Sequence, residues 1–274
     1  MTIATLTDVL GPAMRDGYAV AGLVCQGWED IRAFAAAAEA EGRPVILQAG
    51  PGCRAHTPLP ILAKMMRHVA EGASVPVVIH LDHAYTADEC RHAIGEGFTS
   101  VMFDGSRKPV DQNINETAEI ARLAHDQGVS CEGEIGFVGY AGAERSDGTK
   151  PDEAERFAAE TGVDALAVSV GNVHLQKDKK SPLDEDRIAA IEAVTTVPLV
   201  IHGGSGVPPE QRRSLAHTSR VKKFNIGTEL RMAFGDALRA SVGKDGARFD
   251  RIEILSETEP ALVAAARTAI RSLA

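Results

Sequence analysis

The chain has 274 residues, 44% hydrophobic and 24% charged, which is enough for one large α/β domain with an ordinary core. The formal net charge of −9 argues against nucleic acid and anionic membrane surfaces as partners. The four cysteines lack CxxC spacing, no apolar run reaches the ~18 residues of a membrane span, and the N-terminus lacks a basic region. These features argue against a disulfide scaffold, a membrane protein and a secretory signal, and predict a cytoplasmic enzyme.

The first predicted element is a short helix over residues 5–16, with Thr7 as its N-cap. Eight strands follow at intervals of ~25–35 residues, each succeeded by a helical pattern. The strands are predicted at residues 19–25, 44–48, 77–81, 100–103, 129–135, 165–170, 199–202 and 221–226. The intervening helices are rich in alanine and charge, as in residues 29–41 and 184–194.

Eight strand–helix units in about 240 residues predict a (β/α)8 TIM barrel rather than an open α/β sheet. No linker or low-complexity segment divides the chain, so residues 1–274 are expected to form a single domain with extra N- and C-terminal helices. The tail from residue 242 is predicted to contain one more helix, at about residues 260–273. That helix is expected either to cap the barrel or to serve an oligomer interface.

Polar residues stand where several predicted strands end. The strand at 77–81 runs into Asp82 and His83, and two later strands are followed by His174 and end in His202. Since the C-terminal ends of barrel strands meet on one face, the three histidines are predicted to bind one metal ion. Three histidine ligands with an open position are typical of catalytic zinc. Asp82, beside a ligand, is predicted to carry a proton or, alternatively, to orient a histidine.

Further acidic residues follow the fourth strand and lie on the fifth. Asp104 and Glu134 are predicted either to orient the metal ligands or to bind a second cation, divalent or monovalent. Glu132 alternates with Glu134 on one strand face, and a buried structural role is equally compatible with its position.

Glycine-rich loops follow the last two strands, where barrels often bind phosphate through backbone N–H groups and hydroxyls. The residues concerned are Gly203, Gly204 and Ser205 after the seventh strand, and Asn225, Ile226, Gly227 and Thr228 at the end of the eighth. Their position favours a phosphate site over a mere tight turn.

At these residues the chain resembles the class II, zinc-dependent ketose-bisphosphate aldolases, which include the fructose- and tagatose-bisphosphate enzymes. The similarity covers nearly the whole chain. The matching segments are residues 17–20 (GYAV), 81–83 (LDH), 100–106 (SVMFDGS), 132–136 (EGEIG), 161–168 (TGVDALAV), 202–206 (HGGSG) and 223–228 (KFNIGT). Together they are specific for the superfamily and much less so for one sugar.

The resemblance implies that the three histidines hold the catalytic zinc and that Asp82 is the proton donor to the aldehyde oxygen. It also implies that Asp104 and Glu134 match positions that bind a second cation in some members. The two glycine-rich loops are implied to hold the dihydroxyacetone phosphate end of the substrate, with Asn225 near the enediolate.

Four positions depart from the family pattern. Leu175 stands where the family usually has a glycine whose backbone lies at the phosphate, and it is included among the substrate-binding residues. Gly50 replaces a hydroxyl residue, and Gly227 replaces an aspartate of many fructose-bisphosphate enzymes. The loop after Gly136 lacks the usual acidic cluster, so Glu144 is the candidate for the catalytic glutamate.

The sequence therefore predicts a metal-dependent aldolase, a carbon–carbon lyase that reversibly cleaves a ketose bisphosphate or ketose 1-phosphate to dihydroxyacetone phosphate and an aldehyde. Zn²⁺ would act as a Lewis acid, Asp82 as the acid/base at oxygen, and Glu144 as the acid at carbon. If Glu144 is not that acid, Asp147 or Glu132 is the next candidate. The alternatives are a zinc-dependent sugar-phosphate epimerase or isomerase, and a non-catalytic homologue that binds a sugar phosphate. A homo-oligomer, dimer or tetramer, is expected.

Overall fold

Parallel strands surrounded by helices form a closed barrel in the computed structural model, which describes residues 2–142, 146–244 and 248–274. In this part of the chain the strands are β1 Ile3–Ala4, β2 Val20–Val24, β3 Val45–Ala49, β4 Val77–Ala84, β5 Ser100–Phe103, β6 Ser130–Ile135, β7 Ala165–Val168, β8 Leu199–Ile201 and β9 Val221–Ile226.

Within the described residues, most helices come directly after a strand in the chain and pack on the outside of the barrel. They are α1 Leu6–Asp16, α2 Trp28–Glu41, α3 Pro51–His56, α4 Leu59–Gly72, α5 Ala87–Gly95, α6 Val110–His125, α7 Pro151–Thr161, α8 Glu185–Val194, α9 Pro209–Thr218, α10 Thr228–Gly243, α11 Arg251–Ser256 and α12 Glu259–Arg271, with a 3₁₀ turn at Gly204–Gly206.

The barrel is closed by strands β2 to β9, each paired in parallel with the next, and by the pairing of β9 with β2. The predicted TIM barrel is confirmed. Each predicted strand is present, with ends shifted by a few residues; β1 was not predicted, and it pairs Ile3 with Val77 at the start of β4. The strands could be predicted as continuous apolar runs because one face of each meets the barrel interior and the other meets the helices.

Helix α1 closes the N-terminal end of the barrel. Its Leu6, Val9 and Leu10 pack against inward-facing residues of the barrel floor, among them Ile46 and Val78. A packed floor leaves the opposite rim, where the strands end, as the only end of the barrel open to a ligand in the described residues.

Two sequence predictions about the terminal helices were wrong in detail. The N-cap of α1 is Thr5, not Thr7: the Thr5 hydroxyl accepts from the N–H of Asp8, and the Asp8 carboxylate accepts from the N–H of Thr5. This reciprocal pair satisfies two free donors at once, which Thr7 cannot do from inside the helix.

The tail holds two helices rather than one, because Asp250 caps a short α11 before α12 begins. Helix α12 packs on the outside of the barrel against α2 and α10, where Arg267 and Arg271 bind Glu41 at 2.6 and 2.7 Å. Of the helices described here, none is both long enough and apolar enough to cross a membrane.

Candidate active site

A cavity of about 260 Å³ opens at the C-terminal rim of the barrel. Most of the predicted site residues line it: Asp82, His83, His174, Leu175, His202, Gly203, Ser205, Asn225, Gly227 and Thr228. Gly204 and Ile226 do not line it, and the Ile226 side chain lies in the apolar core. Asp104 and Glu134 lie behind His83. Glu144 lies outside the described residues.

The end of β4 carries two of these residues in an irregular conformation. The pairing of β4 with β5 shifts register between Leu81 and Ala84, and His83 has a φ of 52°. A left-handed backbone at a non-glycine residue costs of order 1–3 kcal/mol and persists only where the surroundings impose it. Here Arg54 imposes it, since its guanidinium donates to the carbonyls of Ala49, Asp82 and His83 at 2.8, 2.6 and 3.1 Å.

Three histidines from three different strand ends converge at the cavity. The rings of His83 and His202 have centroids 4.6 Å apart, and His174 lies 5.2 Å from the first and 5.6 Å from the second. One ring nitrogen of each lies within 4.8 Å of one from each of the others. The barrel therefore brings the predicted ligands together.

Carboxylates behind the rings determine where two of the histidines carry their protons. His83 Nδ1 lies 2.8 Å from Asp104 Oδ2, and His202 Nε2 lies 3.1 Å from Glu132 Oε1 and 3.3 Å from Asn225 Nδ2. The carboxylates are the nearer and charged partners, so each of these nitrogens is assigned as a donor to its carboxylate. The lone pairs of His83 Nε2 and His202 Nδ1 then face each other across 2.9 Å. Two lone pairs repel at this distance unless a cation lies between them. The bare nitrogens of His83 and His202 thus fit a divalent metal ion bound between them. In the absence of a metal, a proton can take the same position.

The charges around His83 agree with this assignment. Burial opposes its protonation, but the Asp82 charge and the Asp104 hydrogen bond raise the pKa of His83 to about 9. Burial also opposes ionisation of Asp104, yet hydrogen bonds from His83 and Ser106 hold its pKa well below the usual range. Burial, and then the Asp104 charge, raise the pKa of Glu134, whose Oε2 has no hydrogen-bond partner.

A loop after β6 holds His174 in place. The His174 N–H donates to the Gly139 carbonyl at 2.8 Å, and the Ala141 N–H donates to the His174 carbonyl at 2.9 Å. The Tyr140 ring stacks on His174 with centroids 4.9 Å apart. Burial, and then the His83 charge, lower the pKa of His174 to about 4, which favours the neutral ring that a metal needs.

Asp82 is nine-tenths buried, and one of its oxygens faces the cavity. Asn225 Nδ2 donates to Asp82 Oδ1 at 3.3 Å, and a Cβ at Gly50 would lie 3.4 Å from Oδ2. Burial opposes ionisation, but the charges of His83 and His202 lower the Asp82 pKa. An ionised carboxylate with a free oxygen beside the histidines can take a proton from a substrate hydroxyl.

The glycine-rich loops meet at one end of the cavity. Gly203 has a φ of 66°, and a Cβ there would lie 2.2 Å from the Val173 carbonyl oxygen, so only glycine allows this close approach. The Ser205 hydroxyl accepts from the N–H groups of Gly227 and Glu229 at 3.2 and 3.3 Å, at the start of α10. A helix N-terminus with adjacent backbone N–H groups favours an anion.

Leu175 lines the same cavity and also has a left-handed backbone, with a φ of 57°. It thus keeps the backbone conformation of a glycine while adding an apolar side chain that is half exposed.

Sequence reasoning missed four contributors to the site. Arg231, Tyr85 and Tyr140 line the cavity, and Arg54 lies behind Asp82. Arg231 follows the last glycine-rich loop by one helical turn, which was a usable signal for an anion site. Nothing in the sequence distinguished the two tyrosines or Arg54 from surface residues. Five further histidines are exposed and do not line the cavity: His56, His68, His92, His125 and His217.

The chain is similar to known aldolases over nearly its whole length. The family described as "Fructose-bisphosphate aldolase class-II" matches residues 4–274. A 6-phospho-5-dehydro-2-deoxy-D-gluconate aldolase of Shouchella clausii is 37% identical over 267 residues, 94% of this chain and 89% of the relative. A fructose-bisphosphate aldolase of Geobacillus stearothermophilus is 35% identical over 274 residues, 96% of this chain and 94% of the relative.

Among solved structures, the YdjI aldolase from Escherichia coli K12 superimposes with a TM-score of 0.86 at 28% identity, covering 99% of this chain and 97% of the other. The chain belongs to the class II fructose-bisphosphate aldolase family. The prediction of a class II aldolase, a carbon–carbon lyase, is confirmed.

We expect Arg54→Met to weaken metal binding without removing any candidate ligand. The variant loses charged hydrogen bonds, each worth ~1.5–3 kcal/mol, that hold the strained end of β4. Zinc affinity, measured by competition with a chelator, should fall by ~10–100-fold, as for loss of other residues that orient a metal ligand. Arg91→Met, which removes an exposed arginine paired with Asp88, is the matched control. Unchanged affinity in Arg54→Met would mean that β4 keeps its shape without the guanidinium.

Proposed function

We propose that this aldolase reversibly cleaves a phosphorylated ketose to dihydroxyacetone phosphate and an aldehyde whose far end is anionic. The observation that carries the proposal is the pair of facing histidine nitrogens beside Asp82, with the N-terminus of α10 at one end of the cavity and a guanidinium in the cavity lining. The two relatives support it, because a phosphogluconate derivative and a bisphosphate each carry an anionic group at both ends.

His83, His174 and His202 are proposed to bind Zn²⁺, which when bound supplies a Lewis acid that polarises the ketose carbonyl. The contacts of Asp104 support the role of orienting His83, since both of its oxygens accept hydrogen bonds from His83 and Ser106. Glu134 Oε2 is buried, has no hydrogen-bond partner among the described residues and lies 3.8 Å from His83 Nδ1; it is proposed as the atom to which a second cation would bind.

Asp82 is proposed to remove the proton from the hydroxyl at the breaking bond and, in condensation, to return it to the aldehyde oxygen. Asn225 donates a hydrogen bond to one carboxylate oxygen of Asp82, and the other oxygen faces the cavity. The site also excludes water from most of the Asp82 side chain, which is 5% exposed. An acid/base held in this way needs little rearrangement when the substrate arrives.

The acid that protonates the triose carbon is proposed to be Glu144, which follows the loop that holds His174. Glu132 is unsuited to that role, because both of its oxygens are engaged below the cavity by His202 and Lys223. Asp147 is exposed and lines no part of the cavity. Tyr140 lines the cavity above His174 and is therefore the next candidate.

Gly203 to Ser205, with Gly227 and Thr228, are proposed to bind the phosphate of the triose half. The contribution of Gly204 and Ile226 would come from their backbone, since Ile226 is buried and neither residue lines the cavity. Leu175 would form an apolar wall at that end. Arg231, which lines the cavity, is proposed to bind the anionic group of the aldehyde half.

We further propose one domain over the whole chain, a cytoplasmic location and a homo-oligomer. The proposal of a homo-oligomer rests on three exposed apolar residues near the C-terminal helices: Val242, Phe249 and Ile252, of which Phe249 is 91% exposed.

The test of the proposed function is release of a triose phosphate from candidate ketose phosphates, with and without added Zn²⁺. Chelation should abolish release and Zn²⁺ should restore it. His174→Ala should lose more affinity for zinc than the ~10–100-fold typical of an outer-shell change, because a site with three ligands cannot spare one. His92→Ala, an exposed histidine, is the control. Full activity after chelation contradicts the metal proposal, and an isomerised product without triose phosphate contradicts cleavage.

Exchange of solvent deuterium into dihydroxyacetone phosphate separates the two acids. Asp82→Ala should lose carbon–carbon cleavage by ~10²–10⁴-fold, as expected for a lost general acid/base, while exchange continues. Glu144→Gln should slow exchange by a similar factor, and Asp147→Asn is its control. Normal exchange in Glu144→Gln together with slow exchange in Tyr140→Phe would transfer the role to Tyr140.

Arg231→Met tests the anionic end of the aldehyde. In the condensation direction, aldehydes that carry a phosphate or a carboxylate should lose ~10–100-fold in kcat/KM, the value of a charged hydrogen bond of about 1.5–3 kcal/mol. Neutral glyceraldehyde should be affected little. Arg239→Met, on the same helix and paired with Asp236, controls for loss of positive charge. Equal losses of kcat/KM for charged and neutral aldehydes would show that Arg231 does not bind the anionic group of the aldehyde.

A further inference from the structure

A buried ionic cluster lies in the barrel directly beneath the candidate metal centre. Lys223 and Glu132 are both fully buried, and neither lines the active-site cavity. Lys223 Nζ lies 2.5 Å from Glu132 Oε2 and 3.2 Å from His80 Nε2. His80 in turn bonds to Ser100 Oγ at 2.7 Å through Nδ1. Neither the cavity nor the reaction described above uses this cluster.

The two oxygens of Glu132 have different partners. Oε2 accepts from the Lys223 ammonium, and Oε1 lies 3.1 Å from His202 Nε2. Lysine can only donate, and a carboxylate can only accept. The Lys223 ion pair therefore keeps Glu132 an acceptor. Asn225 Nδ2 also lies 3.3 Å from His202 Nε2, but the carboxylate is nearer and charged, so His202 donates to it from Nε2. Its other nitrogen, Nδ1, is then left with a lone pair directed at His83 Nε2, 2.9 Å away.

We propose that Lys223 and Glu132 are positioning residues whose ion pair holds the His202 proton on Nε2 and so keeps Nδ1 available as the metal ligand. The inference rests on the metal centre proposed above. It adds that this centre depends on a lysine that lies one layer deeper in the barrel and touches neither metal nor substrate.

The lysine also explains how a fully buried carboxylate can lie beneath three histidines. An isolated buried charge is costly, and a partner with good geometry offsets that cost. The Lys223 ammonium makes a charge-assisted bond to Glu132 and a second bond to His80, whose Nδ1 is directed at Ser100. Lys223, Glu132, His80 and Ser100 thus each have a hydrogen-bond partner within the cluster.

Replacing Glu132 by glutamine gives a sharp test, because the carboxamide has one acceptor oxygen where the carboxylate has two. In Glu132→Gln the Lys223 cation takes that oxygen, as the stronger donor. The amide NH₂ then faces His202 Nε2, which must accept, and the proton moves to Nδ1. Zinc affinity should fall by ~10–100-fold. In the double variant Glu132→Gln with Lys223→Met, no lysine competes for the carboxamide oxygen, which then accepts from His202 Nε2. Zinc affinity should recover most of the loss seen in Glu132→Gln.

The matched control for the lysine change is Lys222→Met. Lys222 is also buried on β9, but its Nζ donates to the Ala216 carbonyl of α9 at 2.7 Å, away from the metal centre. The zinc affinity of Lys222→Met should equal that of the wild type. Circular dichroism and thermal unfolding of every variant establish that each is folded.

Rescue in the double variant distinguishes the proposal from a merely structural role, which predicts that removing both residues is worse than removing one. A double variant that binds zinc no better than Glu132→Gln would overturn the proposal. If Glu132→Gln does not fold, ¹⁵N NMR of the metal-free wild type decides: His202 should carry its proton on Nε2, and a proton on Nδ1 alone overturns the assignment. Failure of wild-type protein to bind zinc would instead refute the metal centre itself.

Discussion

A line of close polar contacts crosses the barrel below its rim, from Lys223 through Glu132, His202 and His83 to Asp104. Its residues come from β9, from β6, and from the ends of β8, β4 and β5. The ionic groups at the two ends of the line keep protons on the outer nitrogens of the two histidines. The inner nitrogens are left bare and opposed, so the centre of the line is a place for a cation. The candidate chemistry at the rim depends on this arrangement.

The same low-dielectric surroundings act differently on neighbouring carboxyl groups. Asp104 and Glu134 both lie close to His83, yet the pKa of Asp104 is lowered and that of Glu134 is raised. Asp104 receives hydrogen bonds from His83 and Ser106, which favour its charged form. Among the described residues, the Glu134 carboxyl accepts a hydrogen bond only from the Val138 N–H, and it is buried next to the Asp104 charge. Hydrogen bonding therefore decides which of two similar acids is ionised.

Backbone strain is concentrated at the candidate metal centre. In the described residues, the non-glycine positions with positive φ are His83 and Leu175, the latter directly after His174. Each lies where neighbouring groups hold the chain: Arg54 binds the carbonyls at the end of β4, and the loop at Gly139 and Ala141 brackets His174. A fold that places such conformations beside its ligands keeps them in one geometry before the substrate arrives, at a modest cost in stability.

The sequence by itself determined the barrel, since eight apolar runs with interposed amphipathic helices pack stably in few other ways, and it determined that His83, His174, His202 and Asp82 would meet at the rim. It could not show that Arg54 shapes β4, that Arg231 enters the cavity, or that Thr5 rather than Thr7 caps α1. Those contacts join residues by geometry rather than by periodicity. The role of Lys223 is the clearest case. On the linear chain it is one of two adjacent lysines, and only closure of the barrel turns it inward to Glu132 while Lys222 faces α9.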